Sequence, residues 1–345
     1  MENLPKRRPK LEPDLERQRT QLTRSNVESA VASAVTSAVT SLRRDHSGLF
    51  LGLSGGMDSV VLMHACVAVD LPLTAIHVHH GLSPHAESWL SFCTDLCTRL
   101  KVPLLTERVT VNCAARTSLE EEARRARYVA YEQHVPSGGS LLLAHHVDDQ
   151  AETILLQMLR GAGPAGWGGM AQAMPWRGRQ LLRPFLGLPH VVLANYALSR
   201  QLKWIEDDSN ADLRFKRNYL RHEVMPRLEK AFPAAAANLA RAAAHAREAA
   251  QLAQTLARLD LQQVEYEKGL EIQPLLALGD ARARSVLRCW LAKFGVRAPS
   301  QRRLAELMRQ LSVSNRDTRL RWEHEGLVLL QTGIWLTVLP HAQRG

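Results

Sequence analysis

A short apolar run, Leu49-Phe50-Leu51-Gly52-Leu53, leads directly into Ser54-Gly55-Gly56-Met57-Asp58-Ser59 and then Val60-Val61-Leu62-Met63-His64-Ala65. The first reads as a buried strand, the last as the start of a helix, and the six residues between them as the turn. A strand, a glycine turn and a helix N-terminus in that order make an anion site. The first helical amides have no partner in their own helix, and the helix dipole favours negative charge there. Glycine lets the backbone approach a phosphate closely. No Gly-Lys-Ser/Thr closes the segment, so it is not a Walker A loop. Serine hydroxyls and one carboxylate, Asp58, stand in place of the lysine. That carboxylate suits a phosphate only with a divalent cation between them. A strand-to-helix turn merely capped by Ser54 or Asp58 is the alternative, but the full Ser-Gly-Gly-x-Asp-Ser is more specific than a Gly-Gly pair.

The pattern around this segment alternates. Strands are predicted at 49–53, 73–78, 104–111 and 140–144, and helices at 58–69, 84–100, 120–134 and 148–160. Such alternation implies an α/β fold with a parallel, doubly wound sheet covered on both faces. Ligands of such sheets bind beyond the strand C-terminal ends, where the loops 54–59, 77–82 and 144–149 would lie. Before this region, 27–44 is alanine-rich and helical in pattern, and residues 1–24 read as a basic, disordered arm. That arm is either a solubilising tail or an RNA contact. After it come the glycine-dense connector 160–170 and a helix near 189–201. A long alanine-rich helix over 231–259 is interruptible at Phe232-Pro233. The organisation expected is a 25–225 catalytic domain, a 226–272 helical linker and a smaller basic α/β domain over 273–345. That last part has helices at 281–294 and 300–311 and terminal strands within 327–339.

Charge bears on the partner. The formal net charge is +10, and the last domain is arginine-rich, with Arg282, Arg288, Arg302 and Arg303 among its cations. A polyanion is the expected partner, nucleic acid ahead of a membrane surface. No apolar run reaches the length of a membrane span and no signal-peptide core begins the chain, which predicts a cytosolic protein and no membrane partner. Cys66, Cys93, Cys97, Cys113 and Cys289 are too scattered for a disulfide framework and read as reduced structural thiols.

Four further clusters carry chemistry. His77-Val78-His79-His80-Gly81-Leu82 ends the second strand. His77 and His79 share a strand face that His80 does not, which arranges a three-histidine zinc site poorly, so a loop beside the nucleotide is the better reading. Ala144-His145-His146-Val147-Asp148-Asp149-Gln150-Ala151-Glu152-Thr153 opens a helix on which Asp149 and Glu152 share a face and could grip an ammonium group or a cation. Helix N-terminal capping explains one or two of those acids, not the whole set. Arg124 and Arg127 share one side of a basic helix, either a solvated face or an anion contact. Trp204-Ile205-Glu206-Asp207-Asp208-Ser209-Asn210 reads as a turn and cap, and Arg217-Asn218-Tyr219-Leu220-Arg221 offers arginines to phosphate.

The Ser54–Ser59 segment resembles the signature of the N-type ATP pyrophosphatases, or PP-loop superfamily. The ordered set of 77–82, 144–153, 160–170, 204–210 and 217–221 is similar to the tRNA(Ile)-lysidine synthetases, over about residues 47–225. The resemblance implies that ATP, with Mg²⁺ held by Asp58, adenylates the C2 carbonyl oxygen of the wobble cytidine of the isoleucine tRNA with a CAU anticodon. An amine of free L-lysine then displaces AMP. On the same basis Ser54, Gly55, Gly56, Met57, Asp58, Ser59 and His77 would bind ATP, and His145 would lie near the reacting phosphate. Arg124, Arg127 and Arg217 would stabilise the adenylate, Asp149 and Glu152 would hold lysine, and Arg221 and the C-terminal arginines would hold tRNA. A homodimer is compatible with the resemblance. Trp167 and Asp208 depart from the family pattern, where leucine and proline are usual. A tRNA thiolation enzyme of the same superfamily, which uses paired cysteines, and a catalytically idle tRNA-binding protein are the alternatives.

Overall fold

The computed structural model describes residues 23–40, 47–111 and 119–339. The arm expected at 1–24 falls almost wholly outside the described residues, as does Cys113. The chain divides into two compact units, residues 1–244 and 245–345.

In the first unit α1 (Arg24–Thr40) precedes β1 (Leu49–Gly52), α2 (Met57–Ala68), β2 (Thr74–His79), α3 (Ala86–Leu100), β3 (Leu104–Arg108), α4 (Leu119–His134), β4 (Ser140–Leu142) and α5 (Val147–Leu159). The alternation expected over 49–160 is therefore present element by element. After it come a single helical turn α6 (Pro164–Trp167), β5 (Ala173–Trp176), β6 (Arg179–Leu182) and α7 (His190–Ser199). The sheet runs β3-β2-β1-β4-β6-β5, parallel throughout except for the β5–β6 pair. That hairpin is an addition to the expected four strands. Its turn is Arg177-Gly178, both at positive φ (46° and 77°), the backbone that a two-residue hairpin turn needs. Pro175 lies in β5 at the sheet edge, where its missing N–H costs little.

Side chains of β1 and β4 alternate between two cores, as strand pleating requires. Leu49, Leu51, Leu53 and Leu142 join a cluster with α1, α2, α3 and α7 that includes Val31, Val61, Met63, Phe185 and Leu193. Leu141 and Leu143, with Ile76, join Ala130 and Tyr131 of α4 on the opposite face. The sheet is thus buried on both sides, which is why its strands read as apolar runs. From β1 the chain moves outward to β2 and β3, then returns to β4 on the other side of β1. The loops after β1 and β4 consequently diverge and leave a crevice between them.

The first unit closes with a helical run: α8 (Lys216–Tyr219), a π turn at Leu220–Val224 and α9 (Met225–Ala231). Pro226 offers no N–H to the ladder at the point where the π turn gives way to α9. Next, α10 (Ala235–Val264) carries the chain across the division between the units.

The second unit has β7 (Glu265–Tyr266), β8 (Gly269–Glu271), α11 (Ile272–Ala277), α12 (Asp280–Ala292), α13 (Gln301–Val313), β9 (Arg321–His324), β10 (Leu327–Thr332) and β11 (Trp335–Leu339). Its sheet is antiparallel in the order β7-β8-β11-β10-β9. Leu287, Trp290, Leu304, Leu311, Leu329 and Leu336 form its core. Among the described residues, no helix is long and apolar enough to cross a membrane.

Phe185 is fully buried in the larger core of the first unit. Phe185→Ala is expected to destabilise that unit by about 3–5 kcal/mol. Urea unfolding followed by far-UV circular dichroism should show a lower midpoint with an unchanged slope for the transition of that unit.

Candidate active site

Gly55 fixes the turn between β1 and α2. Its φ is +87°, and a Cβ there would lie 2.4 Å from Ile205 Cδ1 and 3.1 Å from Cys93 Sγ. Only glycine fits, on grounds of both backbone conformation and space. The Ile205 amide donates to the Gly55 carbonyl at 2.9 Å, so the segment after α7 clamps the turn from above. Within the turn the Ser54 and Ser59 hydroxyls lie 3.1 Å apart, Ser59 Oγ donates to the Gly56 carbonyl, and the Gly56 amide donates to Ser54 Oγ. Gly56 begins α2 without a side-chain cap. The helix N-terminus is therefore presented bare to the crevice.

An open cleft of about 690 Å³ occupies this crevice. One wall is Ser54, Gly56, Met57, Asp58 and Ser59, and another is Arg124, Arg127, Tyr128 and Tyr131 of α4. His145, Asp149, His190, the segment Trp204–Asp208, Arg221 and His222 complete it. The Arg124 guanidinium lies over the Tyr128 ring at 5.1 Å. Arg127 Nε donates to His80 Nε2 at 3.3 Å. Burial pushes the His80 imidazole down to about 4, with Arg127 reinforcing the shift, so the ring stays neutral and accepts that bond. Burial likewise pushes His145 down to about 3. It is a neutral ring on the cleft wall, and its Nδ1 has no hydrogen-bond partner among the described residues. Burial also opposes charge on His146, but Asp149, Asp148 and Asp58 outweigh it and raise that imidazole to about 9.

The acids on α5 are not free. Arg217 Nε and Arg221 Nε donate to the two oxygens of Glu152, at 2.7 and 2.6 Å, and both Nη2 atoms reach Asp149 Oδ1 at 3.1 Å. The Glu152 side chain is 2% exposed and does not line the cleft. Asp149 does line it, held below the ordinary carboxylate range against burial by His146 and Arg217. The carboxylate pair expected to grip an ammonium group instead grips two guanidinium groups.

Of the other expected ATP and adenylate contacts, Asp58, His145, Arg124 and Arg127 meet in the cleft, whereas His77 and Arg217 do not line it. His77 is buried beneath the loop, with Nδ1 at 2.9 Å from the Leu53 carbonyl, and positions the end of β1 rather than meeting solvent. Of the loop 77–82, no residue lines the cleft, and His80 reaches it through its bond to Arg127. In the second unit, Arg302 is exposed on α13 and Arg288 is half-buried on α12. Arg282 is committed to a bidentate pair with Asp260, and Arg303 lies over Trp322 and donates to the Glu323 carbonyl. Sequence reasoning missed His190. It opens α7 behind Pro189 with no motif around it, yet its Nε2 lies 3.8 Å from Asp58 Oδ1. It also stopped short of Tyr131, whose hydroxyl stands where a Cβ on Gly52 would intrude.

With this geometry the chain was compared with known proteins. A profile of the PP-loop domain matches residues 24–228. The chain belongs to the PP-loop family. A profile of the TilS substrate binding domain matches residues 270–335. A tRNA(Ile)-lysidine synthase of Coxiella burnetii is 41% identical over 276 residues, covering 79% of this chain and 62% of that protein. One of Chromobacterium violaceum is 43% identical over 281 residues, covering 78% and 64%. The chain thus spans about three fifths of the length of these curated relatives. A U34-tRNA thiolase, NcsA of Methanococcus maripaludis with its [4Fe-4S] cluster, has the same fold at a TM-score of 0.54 and 16% identity, covering 65% of this chain and 80% of that one.

Two outcomes test this PP-loop site. Gly55→Ala is expected to cost about 1–2 kcal/mol of backbone strain and to weaken ATP binding, measured by calorimetry. Glu152→Ala leaves Arg217 and Arg221 to share the single carboxylate of Asp149 and is expected to cost about 2–3 kcal/mol, after allowance for the partial exposure of Arg221. Thermal unfolding without substrate checks it; a purely substrate-binding role would leave the melting temperature in place.

Proposed function

We propose that this PP-loop protein ligates lysine to C2 of the wobble cytidine of the isoleucine tRNA with a CAU anticodon, at the expense of ATP. The observation that carries the proposal is the cleft itself. An anion-binding loop, two arginines, a neutral histidine and the acidic 206–208 segment line one space. The profile matches and the relatives' names support the choice of reaction.

In this reading the α2 amides and the Ser54 and Ser59 hydroxyls hold the β- and γ-phosphates. The cytidine O2 attacks the α-phosphorus, and the bond to the leaving pyrophosphate breaks. Charge develops on the departing oxygens, and prearranged donors aimed at that position lower the barrier. Asp58 suits Mg²⁺ as its protein oxygen, because Oδ1 is buried without a hydrogen-bond partner among the described residues. The ion would neutralise charge on the pyrophosphate. Arg124 and Arg127 face the adenylate. An amine of lysine then forms the new bond to C2, and AMP leaves with the former O2. Glu206, Asp207 and Asp208 are the cleft carboxylates open to the second ammonium group, Asp149 being engaged by Arg217 and Arg221. Glu152 acts through Arg217 and Arg221 and is assigned to positioning. The second unit would hold the tRNA, with Arg302 and Arg288 the better-placed cations and Arg282 and Arg303 engaged within the domain.

Thiolation is the weaker reading. Cys93 and Cys97, one helical turn apart, lie in the core of the first unit, and burial pushes their thiols up to about 12 and about 11. Such thiols are poor nucleophiles and poor metal ligands.

The decisive experiment supplies ATP, Mg²⁺, labelled lysine and the tRNA transcript. Label should enter the tRNA with release of AMP and pyrophosphate, and Asp58→Ala should lower that rate by about 10²–10³-fold while tRNA still binds. Failure of label to enter, with pyrophosphate release dependent on sulfide, would overturn the proposal. Arg302→Ala should lower the slope of log affinity for tRNA against log salt by about one.

A further inference from the structure

The Asp58 carboxylate is approached by two imidazoles. His146 Nε2 lies 3.7 Å from Oδ2 and His190 Nε2 lies 3.8 Å from Oδ1. One ligand atom from each residue can be chosen so that all three lie within 4.8 Å of one another, and among the described residues this is the one group of three or more such donors. The gaps are too long for hydrogen bonds. They exceed by a few tenths of an ångström the roughly 3.0–3.4 Å between two donors bound to one ion at about 2.1 Å. Asp58 Oδ1 is buried and has no hydrogen-bond partner, so nothing else in the described structure satisfies it.

The surroundings of His146 point the same way. Its Nδ1 faces Asp148 Oδ2 at 3.2 Å, and that same oxygen accepts the backbone N–H of His190 at 2.9 Å. A carboxylate on the far nitrogen of an imidazole fixes the ring and strengthens the near nitrogen as a ligand, the arrangement usual behind metal-bound histidines. Here one carboxylate orients one ring and tethers the backbone of the other. An imidazolium at His146 amid these acids accounts for Oδ2, but leaves Oδ1 and the approach of His190 unexplained.

The donor set decides which ion. Two imidazole nitrogens and one carboxylate suit zinc, manganese or cobalt, whereas Mg²⁺ takes oxygen ligands. Asp58 and His190 line the cleft while His146 lies behind them, so the open coordination positions face the phosphate end of the cleft. We infer that Asp58, His146 and His190 form a site for a divalent transition ion of the zinc class, filled in the absence of ATP and sharing Asp58 with the nucleotide's Mg²⁺. This goes beyond the ligase reading and stands or falls separately from it.

The test uses the full chain without ATP, lysine or tRNA. Zn²⁺ is titrated by calorimetry against a competing chelator, and Co²⁺ is added for its visible d–d absorption. One Zn²⁺ per chain at micromolar affinity or tighter is expected, with a Co²⁺ spectrum lacking the thiolate charge-transfer band. His190→Ala should weaken binding about 100-fold and Asp148→Asn about 10-fold. His85→Ala, at an exposed histidine outside the cleft, should change nothing. The His190 side chain is 37% exposed, so its removal leaves the core intact, and an unchanged circular dichroism spectrum verifies this. Absence of saturable binding, equal affinity in His190→Ala, or a thiolate band placing the ion on cysteine would overturn the inference. Lysidine formation plays no part in these readouts, so its failure and theirs are separately visible.

Discussion

The site depends on one tight passage, the turn from β1 into α2. Because Gly55 takes a positive φ beneath Ile205, α2 starts at once after the strand and points its uncapped end into the crevice. The crevice exists because the chain leaves β1 on one side and comes back on the other. Neither feature suffices alone. A helix end inside a closed sheet face would meet side chains, and a crevice without a bare helix end would lack the backbone donors that receive a phosphate. The Ile205–Gly55 bond ties the two together, since the segment that covers the turn also supplies the acidic lip of the cleft.

Charge in the cleft is distributed by neutralisation rather than accumulation. Acids on α5 meet arginines from the 216–231 run, His146 sits among three carboxylates, and His145 and His80 are kept neutral by burial. What remains uncompensated is at the edges: Arg124 and Arg127 on one wall, Glu206 to Asp208 on another. A buried pair adds little net stability compared with apolar packing, but removing one partner is expensive. The network therefore reads as a device for fixing geometry.

Much of the first unit was legible because its strands are buried on both faces; the apolar pattern then places most elements within a residue or two, although β3 ends three residues before the expected 111 and α1 starts three residues before the expected 27. The β5–β6 hairpin was not, because Pro175 and the exposed residues of β5 suppress the strand pattern, and only Arg177-Gly178 carries its signal. In the second unit β7 and β8, of two and three residues, are too short to show alternation, and β9 is masked by its charges. At the site, Ser54, Gly56, Met57, Asp58, Ser59, Arg124, Arg127, His145 and Asp149 could be read from motif and helix face, and they do meet in one cleft. What no one-dimensional reading supplies is which opposite charges find each other. Asp149 and Glu152 read as a pair able to grip an ammonium group or a cation, and Arg217 and Arg221, more than sixty residues away in sequence, could not be foreseen as their partners. His190 was invisible for the same reason.

The π turn at Leu220–Val224 has a further consequence. A π turn accommodates one residue more than an α ladder would, and it persists only where tertiary contacts hold it. Here the holding contact is Glu152, which grips Arg217 just before the turn and Arg221 within it. The carboxylate acts as a stop against slippage. Without it Arg217 and Arg221 would keep Asp149 alone, and the run would lose much of what favours the π turn over α-helical winding. A buried acid on α5 thus bears on the winding of a helical run that it meets through Arg217 and Arg221.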